Sequence, residues 1–160
     1  MPFPELTRLS PNRDLAPPHE CAGVLFHHSV ASFADALVRI LDPASKVSYH
    51  ALIDLDGTCC TLVPDGQIAW HAGASSFLGR TRCNDFLLGL AFAGDTNATP
   101  LTEAQISSAL EWLATRWARH GWTPDRMTDH RQVSPGRKDD LAPAEWARLH
   151  TAIVEKFSGG

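Results

Sequence analysis

The chain has 160 residues, of which 44% are hydrophobic and 20% are charged, and its formal net charge is −4. This length and composition fit one globular domain with a substantial core, and the negative net charge gives no overall basic surface for nucleic acid. No apolar run approaches the about 20 residues of a membrane span, and the N-terminus has no signal-peptide pattern, so the sequence predicts a cytoplasmic protein without a membrane partner.

The first 20 residues are rich in proline and polar side chains, and they are predicted to form an extended arm that precedes a domain over residues 21–157. The first strand is expected over about 22–28. It is apolar and ends in His27 and His28. Neighbouring residues of a strand point to opposite faces, so only one of these histidines can face a site at the strand end.

Helices and strands are predicted to alternate after this strand. Ser32 is a helix-capping residue, and Pro43 ends the helix that follows it. In chain order, the sequence predicts a helix over 32–41, a hairpin over about 49–63 with its turn at 56–57, a long loop over 71–85, a strand over 86–93, and helices over about 102–119 and 143–156. This alternation indicates an α/β fold, a single domain with a central mixed β-sheet flanked by helices.

Two sets of residues are expected to be structural. The cysteines match no metal or redox motif by spacing, so they are predicted to be reduced thiols of the core, although Cys83 could instead be a pocket residue. They are Cys21, Cys59, Cys60 and Cys83. Three histidines outside any motif are predicted to lie on the surface. They are His19, His120 and His150.

The segment 130–140 places an imidazole, an ammonium group and a carboxylate on one short stretch of chain. Pro135 and Gly136 interrupt it and exclude a regular helix, so His130 and Asp140 can approach one point. A histidine at the end of the first strand would supply a third ligand. Two histidines and one carboxylate with an open fourth position are a catalytic zinc set. The sequence therefore predicts a Zn²⁺ site at the strand ends.

Four motifs occur in a characteristic order. They are residues 48–54 with 56–58, 70–73, 82–86 and 130–140. Together they resemble the zinc-dependent N-acetylmuramoyl-L-alanine amidases, over about residues 23–146. Residues 82–86 and 137–140 are most similar to the cytosolic branch that trims anhydro-muramyl peptides during cell-wall recycling. The resemblance implies the fold of the peptidoglycan amidases and recognition proteins.

The resemblance also implies roles for individual residues. It assigns the metal to His27, His130 and Asp140, and it matches Lys138 to the family's catalytic lysine, two positions before the last ligand. Asp129 departs from the family pattern, which usually has glycine there. Substrate contacts are expected from four further residues, namely His28, His71, Asn84 and Arg137.

Some of these roles leave alternatives open. His71 could pack in the interior or line the pocket, and Asn84 could hold a loop or contact the ligand. Arg137 is expected to pair with a carboxylate of the stem peptide. The recycling branch has a catalytic glutamate where this chain has Ala91. Tyr49, which corresponds to a tyrosine of the phage-type branch, is expected to replace that glutamate.

The resemblance implies an enzyme that hydrolyses the amide bond between N-acetylmuramic acid, in the 1,6-anhydro form, and the L-alanine of a peptidoglycan stem peptide. Two alternatives stay open, a catalytically weak or inactive peptidoglycan-binding module of the same fold and a lytic amidase that acts on intact cell wall. Retention of Asp140 favours the enzyme over the binding module. A general zinc peptidase is disfavoured, since the sequence contains no His-Glu-x-x-His motif. The sequence carries no signal for an oligomeric state.

Overall fold

A six-stranded sheet organises the chain, which the computed structural model describes over residues 2–158. The strands are, in chain order, β1 (Glu5–Thr7), β2 (Arg13–Asp14), β3 (Gly23–His28), β4 (Ala51–Ile53), β5 (Cys59–Thr61), β6 (Ile68–Ala69), β7 (Ser76–Phe77), β8 (Arg80–Thr81), β9 (Leu87–Phe92) and β10 (Met127–Asp129). The large sheet has the order β1-β5-β4-β9-β3-β10, and β5 runs antiparallel to β4 whereas the other neighbours are parallel. The predicted central mixed sheet is confirmed.

Helices cover both faces of this sheet. They are α1 (Phe33–Leu41), α2 (Glu103–His120), α3 (His130–Val133) and α4 (Pro143–Phe157). Ser32 caps α1 by accepting a hydrogen bond from the N–H of Asp35, as the sequence predicts. Thr102 and Gln105 form a reciprocal capping box at the start of α2, and Gly121 ends that helix in the left-handed conformation with φ 64°. No helix within residues 2–158 has the length and apolar character needed to cross a bilayer.

One face of the sheet is a dry apolar core beneath α2 and α4. Val24 and Phe26 of β3 and Leu90 of β9 point to this face and are fully buried. Helix side chains complete the cluster, with Leu113 from α2 and Leu149 from α4 both at 0% exposure. Because alternate strand residues share a face, the residues between them point to the other side.

The opposite face is covered by α1 and by long loops. Leu52 and Ala91 pack there against Ile40 of α1, while Leu25 packs against Val133 of α3. His27 follows Leu25 by two positions and therefore points to the same face. This face carries the histidines described below.

The predicted arm, over its described part from residue 2 to 20, is bound to the domain. β1 adds to the edge of the large sheet by pairing with β5. Asn12 is 2% exposed, and its Nδ2 donates to the carbonyl oxygens of Ile40, Asp42 and Val47 at 3.0 to 3.1 Å. The polar side chains of this segment thus brace the carboxyl end of α1.

The loop over 71–85 contains the short hairpin of β7 and β8, and a 3-10 turn at Cys83–Asp85. The prediction that the cysteines are buried free thiols is confirmed. The surface prediction for His19 is wrong, since its side chain is buried, accepts the N–H of Cys21 at 2.9 Å and lies 3.1 Å from the carbonyl oxygen of Leu87. Local sequence gave no sign of that burial, because the covering residues come from distant segments.

Candidate active site

Three segments deliver a histidine, a second histidine and a carboxylate to one end of the sheet. β3 and β10 are parallel neighbours, so their carboxyl ends lie side by side. His27 lies near the end of β3, and His130 begins α3 directly after β10. The following loop then returns to the strand end, where the backbone N–H of Arg131 donates to the carbonyl oxygen of Asp140 at 2.6 Å.

Asp129 holds this loop closed. Its carboxylate caps α3 by accepting the N–H of Gln132 at 3.1 Å, and its second oxygen accepts the N–H of Leu141, also at 3.1 Å. The side chain is 0% exposed. Asp129, in place of the glycine usual at this position, therefore joins the two ends of the loop by hydrogen bonds to both. Because the carboxylate is buried, its pKa is raised.

The three donor groups converge at the distances expected of metal ligands. His27 Nδ1 lies 3.0 Å from His130 Nδ1 and 3.6 Å from Asp140 Oδ2, and His130 Nδ1 lies 3.5 Å from Asp140 Oδ1. Ligand atoms of a tetrahedral zinc ion at about 2.0 Å lie about 3.3 Å from one another. His27, His130 and Asp140 are 1%, 5% and 5% exposed. The residues present fit a zinc ion.

Outer hydrogen bonds assign the tautomers of both histidines. His130 Nε2 lies 2.9 Å from the carbonyl oxygen of Ala72, which only accepts, so Nε2 carries the hydrogen. His27 Nε2 lies 2.9 Å from His71 Nδ1, and His71 Nε2 lies 3.0 Å from the carbonyl oxygen of Leu87. His71 therefore donates through Nε2 and accepts through Nδ1, which leaves the hydrogen of His27 on Nε2.

Both Nδ1 lone pairs consequently face each other across 3.0 Å, beside a carboxylate. Burial lowers the pKa of His27 to about 4, so its ring is neutral at ordinary pH. Two lone pairs and a negative charge pointed at one spot are a cation-binding arrangement.

His71 lies behind His27, and its ring packs over Gly89 of β9. A Cβ on Gly89 would lie 2.6 Å from Cγ of His71, so the glycine makes room for the ring. Burial lowers the pKa of His71 well below its ordinary value. Of the two alternatives for His71, the structure favours interior packing that orients His27, although its edge also lines the cleft.

Tyr49 and Lys138 line a cleft that opens over the three donor groups. The Tyr49 ring centroid lies 5.1 Å from that of His27. Burial, with a contribution from Asp140, raises the pKa of Tyr49 to about 12, so its hydroxyl stays protonated near neutral pH. Lys138 is exposed and lines the same cleft. One protonated hydroxyl and one ammonium group thus face the same space.

Ala91 occupies the position beside His27 on the neighbouring strand. The two residues are partners in the parallel pairing of β3 and β9, and Ala91 is fully buried. Side chains of paired residues lie on the same face. A longer side chain at position 91 would therefore point toward the metal ligands.

His28 points to the other face, so only His27 turns its ring to the donor cluster. Thr96 fixes the His28 ring, because its hydroxyl oxygen lies 2.7 Å and its backbone N–H 3.1 Å from Nδ1. The backbone N–H of His28 donates to Asp140 Oδ2 at 3.2 Å. The His28 ring lines the cleft and also holds the ligand loop through Thr96, which accepts the N–H of Ala142 at 2.9 Å.

Asn84 and Arg137 hold the loop that follows β6. Asn84 Oδ1 accepts the N–H groups of His71 and Ala72 at 3.0 and 2.8 Å. Arg137 Nη2 donates to the carbonyl oxygens of Ala72 and Ala74 at 2.6 and 3.1 Å. The structure thus places both side chains outside the cleft lining, where they support the carbonyl that His130 uses. Two residues that belong to no sequence motif, Val30 and Arg39, line the cleft instead.

Comparisons with known proteins match residues 17–143 to the family described as N-acetylmuramoyl-L-alanine amidase. The 1,6-anhydro-N-acetylmuramyl-L-alanine amidase AmpD of Enterobacter cloacae is 33% identical over 91% of this chain and 88% of its own length. The Escherichia coli K12 enzyme of the same name is 34% identical over 92% of this chain and 91% of its own length.

Solved structures agree in fold. A crystal structure of AmpD superposes with a TM-score of 0.77 at 27% identity and covers 93% of this chain and 94% of its own. The amidase AmiD from E. coli, in complex with the substrate anhydro-N-acetylmuramic acid-L-Ala-D-gamma-Glu-L-Lys, gives a TM-score of 0.74 at 26% identity. That match covers 86% of this chain and 59% of AmiD.

Proposed function

The chain belongs to the N-acetylmuramoyl-L-alanine amidase family, and we propose that it hydrolyses the amide bond between 1,6-anhydro-N-acetylmuramic acid and the L-alanine of a stem peptide. The AmpD relatives carry the name of this activity, and AmiD was solved with such a substrate. The observation that carries the proposal is the convergence of His27, His130 and Asp140 at the floor of an open cleft.

The proposed metal is zinc, which His27 and His130 would hold through Nδ1 and Asp140 through a carboxylate oxygen. When bound, zinc supplies a Lewis acid and activates water near neutral pH. The outer hydrogen bonds from the His27 and His130 rings keep each Nδ1 free of hydrogen, and such partners commonly change metal affinity by about 10- to 100-fold.

Lys138 is the proposed stabiliser of the developing oxyanion. When water attacks the lactyl carbonyl, negative charge grows on the carbonyl oxygen, and the ammonium group of this cleft-lining residue lowers the energy of that state. Lys138 lies two residues before Asp140 and therefore belongs to the same loop as that residue. Lys138 therefore acts on the transition state more than on the metal.

Tyr49 is the proposed proton-handling group. Its hydroxyl remains protonated and faces the cleft, so it can orient the attacking water or pass a proton to the departing alanine nitrogen. Ala91 supplies no polar atom beside His27. His28 is proposed to contact the substrate from the edge of the cleft, and His71, Asn84 and Arg137 to support the site from behind.

Mass spectrometry of digests tests this function. Purified protein is incubated with zinc and either an anhydro-muropeptide or intact sacculi, and the expected product is free stem peptide beginning with L-alanine, released from the anhydro-muropeptide. Release from sacculi alone would make the protein a lytic amidase. Binding of the muropeptide without release of peptide would make it a binding module. A cytoplasmic location stays a prediction that cell fractionation checks.

A further inference from the structure

We infer that Arg39, on the α1 wall of the cleft, binds a carboxylate of the stem peptide and thereby selects substrates that carry one. This inference rests on the proposed function and deepens it. Arg39 lines the same cleft as His27, His130 and Asp140, and it does so from α1. Nothing in the sequence motifs marks it.

Arg39 is a cation without a partner. No carboxylate oxygen within residues 2–158 lies within 4.0 Å of its guanidinium nitrogens. Some arginines of the chain are paired, for example Arg116 with Asp65 at 2.7 Å and Arg80 with Glu20 at 2.7 Å, whereas Arg39 and the exposed Arg119 are in no such ion pair with a described residue. An exposed and unpaired guanidinium keeps its fork of donors available for a bidentate contact with a ligand carboxylate.

The position of Arg39 is fixed by the fold. It lies in the last turn of α1, and the next residue is Ile40, which is 2% exposed and anchors the helix. The carbonyl oxygen of Ile40 accepts hydrogen bonds from Ser10 Oγ at 2.6 Å and Asn12 Nδ2 at 3.1 Å. The arm thus holds the end of α1, so the arginine extends from a braced backbone.

The charge of Arg39 acts on the interior of the cleft. Burial and Asp140 raise the pKa of the Tyr49 hydroxyl, and the charge of Arg39 acts against that rise. The other side chains of Lys, Arg, Asp or Glu that line the cleft, Lys138, Asp139 and Asp140, follow one another in the loop after α3. Among the described residues that line the cleft, Arg39 is therefore the only lysine or arginine outside that loop.

Apolar residues form part of the lining of the same cleft. Val30, Ala31 and Val47 line it, and Val30 is 64% exposed with φ 66°, an unusual backbone conformation for a β-branched residue. Such a wall suits a short peptide with a methyl side chain at its first position. A cation beyond the apolar surface then suits a negative charge further along the same peptide.

The substrate class offers that charge. In the ligand bound to AmiD the glutamate is joined through its γ-carboxyl, which leaves its α-carboxylate free, one residue beyond the alanine. The carboxylate of the third residue is a second source of the same chemistry. Arg137, which sequence analysis expected to take this role, instead uses Nη2 to hold the carbonyl oxygens of Ala72 and Ala74.

Four synthetic substrates separate the two sources. Each is an anhydro-N-acetylmuramoyl tripeptide L-Ala-D-γ-Glu-L-Lys, with the glutamate α-group as carboxylate or carboxamide and the lysine terminus as carboxylate or carboxamide. Steady-state kinetics are measured with wild type, Arg39→Ala, Arg39→Lys and Arg119→Ala. Arg119 is a matched control, since it is an exposed arginine in the last turn of α2 that does not line the cleft.

Arg39→Ala is expected to raise KM about 10- to 100-fold for substrates with the recognised carboxylate, which is the range for a hydrogen bond to a charged group, and to leave kcat within about twofold. Amidation of that carboxylate should raise KM of wild type by the same factor, and the two changes should not add. Arg39→Lys should restore part of the loss. Arg119→Ala should match wild type.

Equal effects of Arg39→Ala on all four substrates, or no effect on any, would overturn the inference. Failure of the proposed function is distinguishable, because wild type would then cleave none of the four. In that case calorimetric titration of wild type and Arg39→Ala with the same intact compounds decides the inference, which stands if carboxylate-dependent binding is lost in the variant and falls if it is not.

Discussion

The two faces of the central sheet differ in what they bury. Under α2 and α4 the strands present Val24, Phe26 and Leu90 to a core of aliphatic and aromatic side chains. On the other face β3 places His27 one position beyond Phe26, and the ring meets His71 and His130 instead of helix side chains. Because successive side chains of β3 point to opposite faces of the sheet, this one strand contributes both to the apolar core and to the polar site.

The face under α2 and α4 is expected to contribute mainly to the stability of the fold, and the face with the histidines mainly to catalysis. On the helix face, one apolar side chain can replace another of similar size, because the stabilisation comes from the apolar surface area that is removed from water. Each histidine of the other face has a defined partner for each ring nitrogen, so the loss of one partner leaves a buried polar atom unsatisfied. Substitutions on the two faces are expected to fail in different ways, and the predictions below use that contrast.

The largest effect is expected from removal of a proposed metal ligand. His130→Ala or Asp140→Ala should lower bound zinc from one ion per chain to a small fraction, and amide hydrolysis should fall by at least about 1000-fold because the Lewis acid is lost. Metal analysis of dialysed protein measures the first effect, with circular dichroism as the control for folding. Stoichiometric zinc in both variants would remove the site as described.

Lys138→Ala is expected to keep zinc and lose turnover. Loss of one oxyanion stabiliser commonly lowers kcat by about 100- to 1000-fold. The measurement is kcat at saturating muropeptide, together with the zinc content of the same sample. A neighbouring exposed residue of the same loop, in the variant Asp139→Asn, serves as the control for loop perturbation. Activity within a few-fold of wild type would make Lys138 an ordinary surface lysine.

Tyr49→Phe is expected to keep the fold and the zinc and to lower kcat by about 100-fold, in the range of general acid–base groups. Ala91→Glu in that background should recover part of the rate, because position 91 lies beside His27 on the same face. Full activity of Tyr49→Phe would assign proton transfer to another group.

His71→Ala is expected to weaken zinc binding by about 10- to 100-fold, since His27 would lose the acceptor that keeps its hydrogen on Nε2. His50→Ala is a matched control. His50 is also buried, with its pKa lowered by burial to about 3, but it bonds the carbonyl oxygen of Gln67 and the N–H of Gly89. Competition with a chromogenic chelator measures affinity, and equal losses in both variants would contradict the orienting role.

The smallest effect on chemistry is expected on the helix face. Leu149→Ala, at a fully buried position of α4, should lower the free energy of unfolding by about 2–5 kcal/mol. Zinc content and kcat per folded molecule should stay near wild type. Urea unfolding and kinetics on the same preparation test this pair of outcomes. A loss of zinc proportional to the loss of stability would show that the two faces are not independent.

The long helices and the central strands, together with the set of three donor residues, were predictable from local sequence. Hydrophobic periodicity and capping residues are local, and Ser32, Thr102 and Pro143 lie where the helices begin. The donor set was recognisable because it combines a strand-end His27 with a loop that carries two ligand-type residues. Its roles in zinc binding stay predictions, whereas its convergence is an observed feature of the fold.

Which polar side chains surround that set depends on the packing of separate segments. His71, in the loop after β6, orients His27 because Gly89 of β9 leaves room for its ring. Arg137 holds a loop whereas Arg39 lines the cleft, and the type of residue is the same at both positions. Such assignments depend on which segments meet in space. The sequence fixes the charge of a side chain, but the packing of distant segments fixes what that charge faces.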